Sequence, residues 1–187
     1  MALIRSLKAN VTEEEAKAEF SPGGFLDYLH TAAVGPLRSV AEFYVPFLLF
    51  QVTVTNADQV QRRVFGIDAV SGSLDPFEFD ELPGPEQVVY RETRNRARPL
   101  LDEANARELI ISKVQRILFQ SGFFRMRQLQ ISAELIPGEI HVPYWVGFRG
   151  VGPIARLSVI DAVRRRKEGA KVSSLVRTWL TSIRTQE

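Results

Sequence analysis

The chain reads as an α+β protein of two similar helix-plus-antiparallel-sheet units, an internal duplication packed as one pseudo-symmetric body. Three observations predict this. The strand motif Phe43-Tyr44-Val45-Pro46-Phe47 recurs as Ile140-His141-Val142-Pro143-Tyr144. Downstream of each copy stands the same tetrapeptide, Ile67-Asp68-Ala69-Val70 and Ile160-Asp161-Ala162-Val163. Two further segments, 102–121 and 170–184, carry apolar residues at helical spacing. The interval from proline to aspartate is 22 residues in the first copy (46 to 68) and 18 in the second (143 to 161). The difference falls where a hairpin connection would lie, so each copy reads as a β-hairpin.

Thr12 followed by Glu15 forms a capping box, and Glu13 and Glu14 complement the dipole of the short helix it opens. Ser21-Pro22-Gly23-Gly24 ends that helix, and Phe25, Leu26, Leu29 and Ala33 predict one more helical turn before Gly35-Pro36. Segments 43–55 and 60–70 are rich in β-branched and aromatic residues and flank Asn56-Ala57-Asp58, which predicts the first hairpin. Phe43, Val45, Phe47 and Leu49 face one way, and Tyr44, Pro46, Leu48 and Phe50 the other, the pattern of a strand covered on both faces. Residues 71–99, with four prolines and many charges, read as a connection. The expected units are therefore 1–85 and 100–187, with a linker over 86–99.

In the second unit Asp102 caps a helix carrying Ile110, Val114, Ile117, Leu118 and Phe119, and Gly122 stops it. A strand over 126–136 reaches a turn at Pro137-Gly138, and the hairpin of 140–149 and 154–163 follows. The last helix carries Val172, Leu175, Val176, Trp179, Leu180 and Ile183 as one unbroken stripe. Helices against one face of an antiparallel sheet are the simplest assembly of these parts. Pro46 and Pro143, unable to donate to a ladder, mark the same bend or edge in both units.

With 187 residues, 45% hydrophobic and 25% charged, the composition is that of an ordinary globular protein. The absence of cysteine removes disulfides, thiolate metal sites and cysteine nucleophiles. The N-terminal twenty residues lack the apolar core of a signal peptide, and the longest apolar run, Phe43–Phe50, is far short of the ~20 residues a spanning helix needs. A cytoplasmic location, a removed signal peptide aside, and no membrane partner are the expectation. Residues 1–90 carry 6 basic and 13 acidic side chains, a net of −7, whereas residues 91–187 carry 18 basic and 9 acidic, a net of +9. Such a split suits packing of one half on the other, head-to-tail association, or an acidic partner for the second half.

Val64-Phe65-Gly66-Ile67-Asp68-Ala69-Val70-Ser71-Gly72-Ser73-Leu74 resembles the closing hairpin of PepSY-type modules. The resemblance covers some ten residues. It implies a cystatin-like helix-plus-sheet form and a non-catalytic module, usually exported, that binds or inhibits a partner. The second copy keeps Ile160-Asp161-Ala162-Val163 but has Arg164-Arg165 in place of the Ser-Gly turn.

Asp68 and Asp161 hold equivalent places. Paired carboxylates do acid–base work only when the fold brings them together; an aspartate entering a turn more commonly binds local amides. His30 and His141, the only histidines, lack metal-ligand spacing, and His141 matches Tyr44 as a strand-face packing position. No nucleophile elbow, P-loop or dinucleotide fingerprint is present, and the glycines of 147–152 fit a hairpin turn. Arg164, Arg165, Arg166 and Lys167 form the densest basic patch, with Lys171 nearby and Arg91, Arg94, Arg96 and Arg98 in the linker. The patch lacks the interleaved aromatics of single-strand binders, which argues against nucleic acid.

The aromatic strands supply the candidate binding residues: Tyr44, Phe47, Phe50, His141, Tyr144, Trp145 and Phe148. The sequence therefore points to a non-catalytic binding or protein-interaction module using those strand faces, without a catalytic residue, cofactor or metal. Its expected partner is a second copy or another protein, with a small apolar ligand as a further candidate. The alternative is a small-ligand-binding protein or enzyme with a pocket between helix and curved sheet, lined by residues such as Tyr44, His141 and Trp145. A third reading is nucleic-acid binding through Arg164–Lys167.

Overall fold

The computed structural model describes residues 1–21, 23, 31, 35–57, 59–120, 129–150 and 155–184. The helical turn expected from Phe25, Leu26, Leu29 and Ala33 lies outside those residues, as does His30.

Two long strands, β2 (Leu37–Asn56) and β6 (Gln130–Arg149), pair antiparallel along their whole length and form the spine of the molecule. On the outer edge of β2 lies β3 (Gln59–Asp68), followed by β4 (Phe77–Phe79). On the outer edge of β6 lie β1 (Ala2–Leu7), which pairs in parallel at Ser6 with His141, and β7 (Arg156–Asp161), which takes Tyr144–Arg149. Strand β5 (Val88–Thr93) pairs with β1, and β8 (Arg166–Glu168) with β7. All eight strands belong to one mixed, curled sheet.

The two prolines sit where the outer partner of each long strand changes. Tyr44 bridges to Arg96 and Phe47 pairs with Asp68, with Pro46 between them; His141 bridges to Ser6 and Tyr144 pairs with Asp161, with Pro143 between them. At such a handover no ladder needs the missing N–H. Each proline carbonyl instead accepts an N–H, Pro46 from Ala69 (2.8 Å) and Pro143 from Ala162 (3.1 Å).

Among the described residues three α-helices cover both faces of the sheet. Helix α1 (Glu13–Phe20) starts in the capping box of Thr12 and Glu15 and seats Ala16 and Phe20 on Trp145 and Ile160. Helix α2 (Glu103–Gln120) is capped by Asp102, whose carboxylate accepts from Asn105 N–H at 2.9 Å. Its stripe of Ala106, Ile110 and Val114 packs on Phe50, Val52, Phe65 and Ile67. Helix α3 (Ala170–Arg184) covers the opposite face, setting Val172, Leu175 and Val176 on the cluster around Phe43, Val45, Phe47 and Tyr144, with the Trp179 ring 4.7 Å from that of Phe43. The alternation along β2 explains the split, because neighbouring side chains of a strand point to opposite faces. Helices on one face only, the simplest expectation, would have left Phe47 or Phe50 uncovered.

Two further sequence expectations meet a different structure. Pro137-Gly138 is a bulge inside β6: Leu48 pairs with Glu139 and Leu49 with Ile136, which leaves those two residues unpaired. Gly138, at φ 100°, adopts a conformation that side chains resist. The linker of 86–99 supplies β5, and 77–79 supplies β4, whose Phe77 and Phe79 stack at 4.5 Å. Residues 1–85 and 100–187 both contribute strands to the one sheet, and their helices cross over. The α1 cluster lies mainly on β6 and β7, whereas the α2 cluster lies mainly on β2 and β3.

Candidate functional site

The aromatic residues singled out from the sequence are interior. Phe47 and Phe50 are fully buried, Tyr44, Tyr144, His141 and Trp145 are buried, and Phe148 is half-buried against the central cluster. Their faces are packed against the chain's own helices and strands, so in this fold they are core, with Phe148 at its edge. Tyr44 donates to Glu42 at 2.8 Å, and burial above all holds its phenol up from the ordinary value. Trp145 Nε1 donates to the Val11 carbonyl at 2.9 Å. His141 Nδ1 lies 3.2 Å from the Arg5 carbonyl, and its Nε2 is 3.4 Å from the Glu139 carboxylate without a hydrogen bond. Desolvation pulls its pKa from 6.5 down to about 4, so the ring is neutral at physiological pH. The Tyr144 hydroxyl is buried without a hydrogen-bond partner, and burial, then the Asp161 charge, pushes its pKa up.

Asp68 and Asp161 are turn-formers, each used up locally. Asp68 accepts from the N–H groups of Ser71 (2.8 Å), Gly72 (3.0 Å) and Leu74 (2.8 Å). Asp161 accepts from Val163 (2.9 Å) and Arg164 (2.8 Å) and from the Arg164 guanidinium (2.6 Å).

The basic patch is paired throughout. Arg164 bonds Asp161 and lies over the Phe77 ring at 4.3 Å, Arg165 bonds Glu15, Arg166 bonds Glu168, and Lys167 bonds Glu19. Two of these pairs fasten β8 and its turn to α1. Solvent weakens such exposed pairs, to about 0–1 kcal/mol each, but they neutralise the charge that a polyanion would read. Lys171 likewise holds Asp75 at 2.6 Å.

The linker arginines differ. Arg94, Arg96 and Arg98 form no ion pair among the described residues, and all three line one groove of about 1000 Å³. Four parts of the chain line the groove, the first being Met1 and Ala2 at the start of β1. The second is the turn after β3, with Val70, Ser71 and Ser73, which the Asp68 carboxylate holds. The third is the segment following β5. That segment is pinned because Tyr44 N–H donates to the Asn95 carbonyl, Ala97 N–H to the Tyr44 carbonyl, and Leu100 and Leu101 N–H both to the Ala69 carbonyl. The fourth is the first part of α3, with exposed Lys171, Ser174 and Thr178 and the more buried Leu175 and Trp179. None of Tyr44, His141 and Trp145 lines it.

The groove thus combines arginines without an ion-pair partner among the described residues, short hydroxyl side chains and the apolar Leu175 and Trp179. A pocket of this size suits a ligand of drug-like dimensions, and unpaired guanidinium groups favour carboxylate or phosphate. The run of arginines at 91, 94, 96 and 98 was the sequence signal for it, overshadowed by the denser patch at 164–167. Nothing in the sequence indicated that the denser patch would be neutralised and the sparser one left open.

Among the described residues no group of three or more His, Asp or Glu is placed to hold a metal ion, and no helix is long and apolar enough to cross a membrane. Comparison with protein-family models, curated proteins and solved structures gives no significant match.

Proposed function

We propose that this chain is a non-catalytic binding protein whose site is the groove between α3 and the segment after β5, and that its ligand is an anion. The observation that carries this reading is the set of three arginines, Arg94, Arg96 and Arg98, unpaired among the described residues and facing one concave space. It keeps the expected pocket between helix and curved sheet and relocates its lining. The PepSY-type resemblance around Ile67–Val70 favours the same class, because such modules bind without catalysing, and the turn there lines the groove.

The reading is tested by titrating the anionic dye anilinonaphthalene sulfonate and following its fluorescence. Saturable binding that the double variant Arg94→Glu/Arg98→Glu abolishes, and that Arg165→Ser/Lys167→Ser leaves intact, is the expected result. Equal binding by the first variant would overturn it.

We also propose that the two hairpins descend from one duplicated unit. The repeated Val-Pro and Ile-Asp-Ala-Val motifs, the matched pairing of Phe47 with Asp68 and Tyr144 with Asp161, and the matched proline carbonyl bonds all favour it. So does the docking of each helix start. Leu100 and Leu101 donate to Ala69, as Asn10 and Val11 donate to Ala162.

A further inference from the structure

We infer that the ligand of the groove is a single-chain anionic amphiphile, an alkyl carboxylate or alkyl phosphate taken up as a dissolved monomer. This rests on the anion-binding reading above and specifies its chemistry.

Two observations separate an amphiphile from a purely hydrophilic anion. The first is the mixed lining: three arginines of the segment after β5 line the same groove as Leu175 and Trp179 of α3. A bare phosphate or an acidic peptide would satisfy the arginines and leave the apolar strip wet. The second is Leu100 at the rim, 78% exposed although its backbone is fixed by the bond to Ala69. A large apolar side chain exposed on a pinned backbone beside apolar lining marks surface that a partner covers. The charged head would sit at Arg94, Arg96 and Arg98. The chain would lie along Leu175 and Trp179 beneath Leu100. The groove volume of about 1000 Å³ exceeds the need of a small inorganic ion and fits a head with a chain.

The test is isothermal titration of the full chain with inorganic phosphate and with hexyl, octyl and decyl phosphate, all below their micelle concentrations. Affinity is expected to rise about three- to four-fold for each methylene buried, and inorganic phosphate to bind weakly. Arg94→Glu/Arg98→Glu is expected to weaken every member by the same factor, and Leu100→Ser to flatten the dependence on chain length. Arginine-dependent binding with no dependence on chain length would overturn the amphiphile and leave the anion reading standing. In that case a hexaglutamate peptide becomes the next probe. Binding that begins only at the micelle concentration would overturn the monomer and assign the groove to a lipid surface. If no probe binds, or the double arginine variant binds as well as the wild type, the anion reading falls as well.

Discussion

Replacing Asp68 by alanine removes the carboxylate on which the turn after β3 is built, and the structure sets the size of the effect. The side chain is fully buried and accepts three backbone N–H groups at 2.8–3.0 Å. Ser71 is exposed, so water can replace its bond, and the Gly72 amide also donates to the Asp68 backbone carbonyl at 3.1 Å; the buried Leu74 amide alone is left without a partner. A buried unsatisfied amide costs about 1–3 kcal/mol, and the weakened bonding of Ser71 and Gly72 adds to it, which puts Asp68→Ala near ~3 kcal/mol. With a urea slope of about 2 kcal/mol per molar, the unfolding midpoint should fall by roughly 1.5 M. Asp68→Asn keeps one acceptor oxygen but turns an amide donor toward an N–H and loses the charge, for about half the effect. Asp161→Ala should cost less, about 2 kcal/mol, because Val163 and Arg164 are only half-buried and can turn to water. A midpoint shift below about 0.5 M for Asp68→Ala would refute the reasoning, as would Asp161→Ala proving the more damaging of the two.

Three other outcomes follow from the packing and the titrating groups. His141 is neutral when folded, with its pKa drawn from 6.5 to about 4, so the unfolded chain takes up a proton first as pH falls. The fold should lose roughly 3 kcal/mol between about pH 6.5 and pH 4 through this residue. Glu139, raised chiefly by burial and lowered by Arg96, works in the opposite direction. Urea titrations of His141→Leu across that range should lack the His141 contribution, and a profile parallel to the wild type would exclude it. Gly147→Ala would place a methyl group 3.0 Å from the Phe20 ring, and the crowding should cost about 1–3 kcal/mol and loosen α1, read by hydrogen exchange at Ala16–Phe20. Pro46→Ala and Pro143→Ala should each cost at most about 1 kcal/mol, mainly through the unfolded chain. A large effect at one proline only would count against equivalent hairpins.

The parts of the fold legible in the sequence were those written in local pattern. The capping box at Thr12, the stripe of α3 and the repeated hairpins are each a short-range signal, and the structure holds α1, α3 and the two hairpins where the pattern put them. Strands β1, β4 and β5 escaped because they are short and surrounded by charge and proline; they become strands through partners far away in the chain, such as Leu7 opposite Val88. The bulge at Pro137-Gly138 carried turn residues, and only the unbroken partner strand β2 makes it a bulge. For the site, the arginines at 94, 96 and 98 were visible as a run. Their lack of an ion-pair partner among the described residues is a tertiary fact, as is the pairing of Arg165 with Glu15 and Lys167 with Glu19 across about 150 residues of chain. The aromatic strand faces looked like a surface only because the number of covering layers cannot be counted from alternation alone.

The claim that the groove is an anion site is tested most directly by following backbone amide resonances while octyl phosphate is added. The account predicts progressive shifts at Val70–Ser73, Thr93–Arg98 and the first turns of α3, with the amides around Arg164–Lys167 unmoved. Shifts centred on Arg164–Lys167, or none in the groove at saturating ligand, would contradict it.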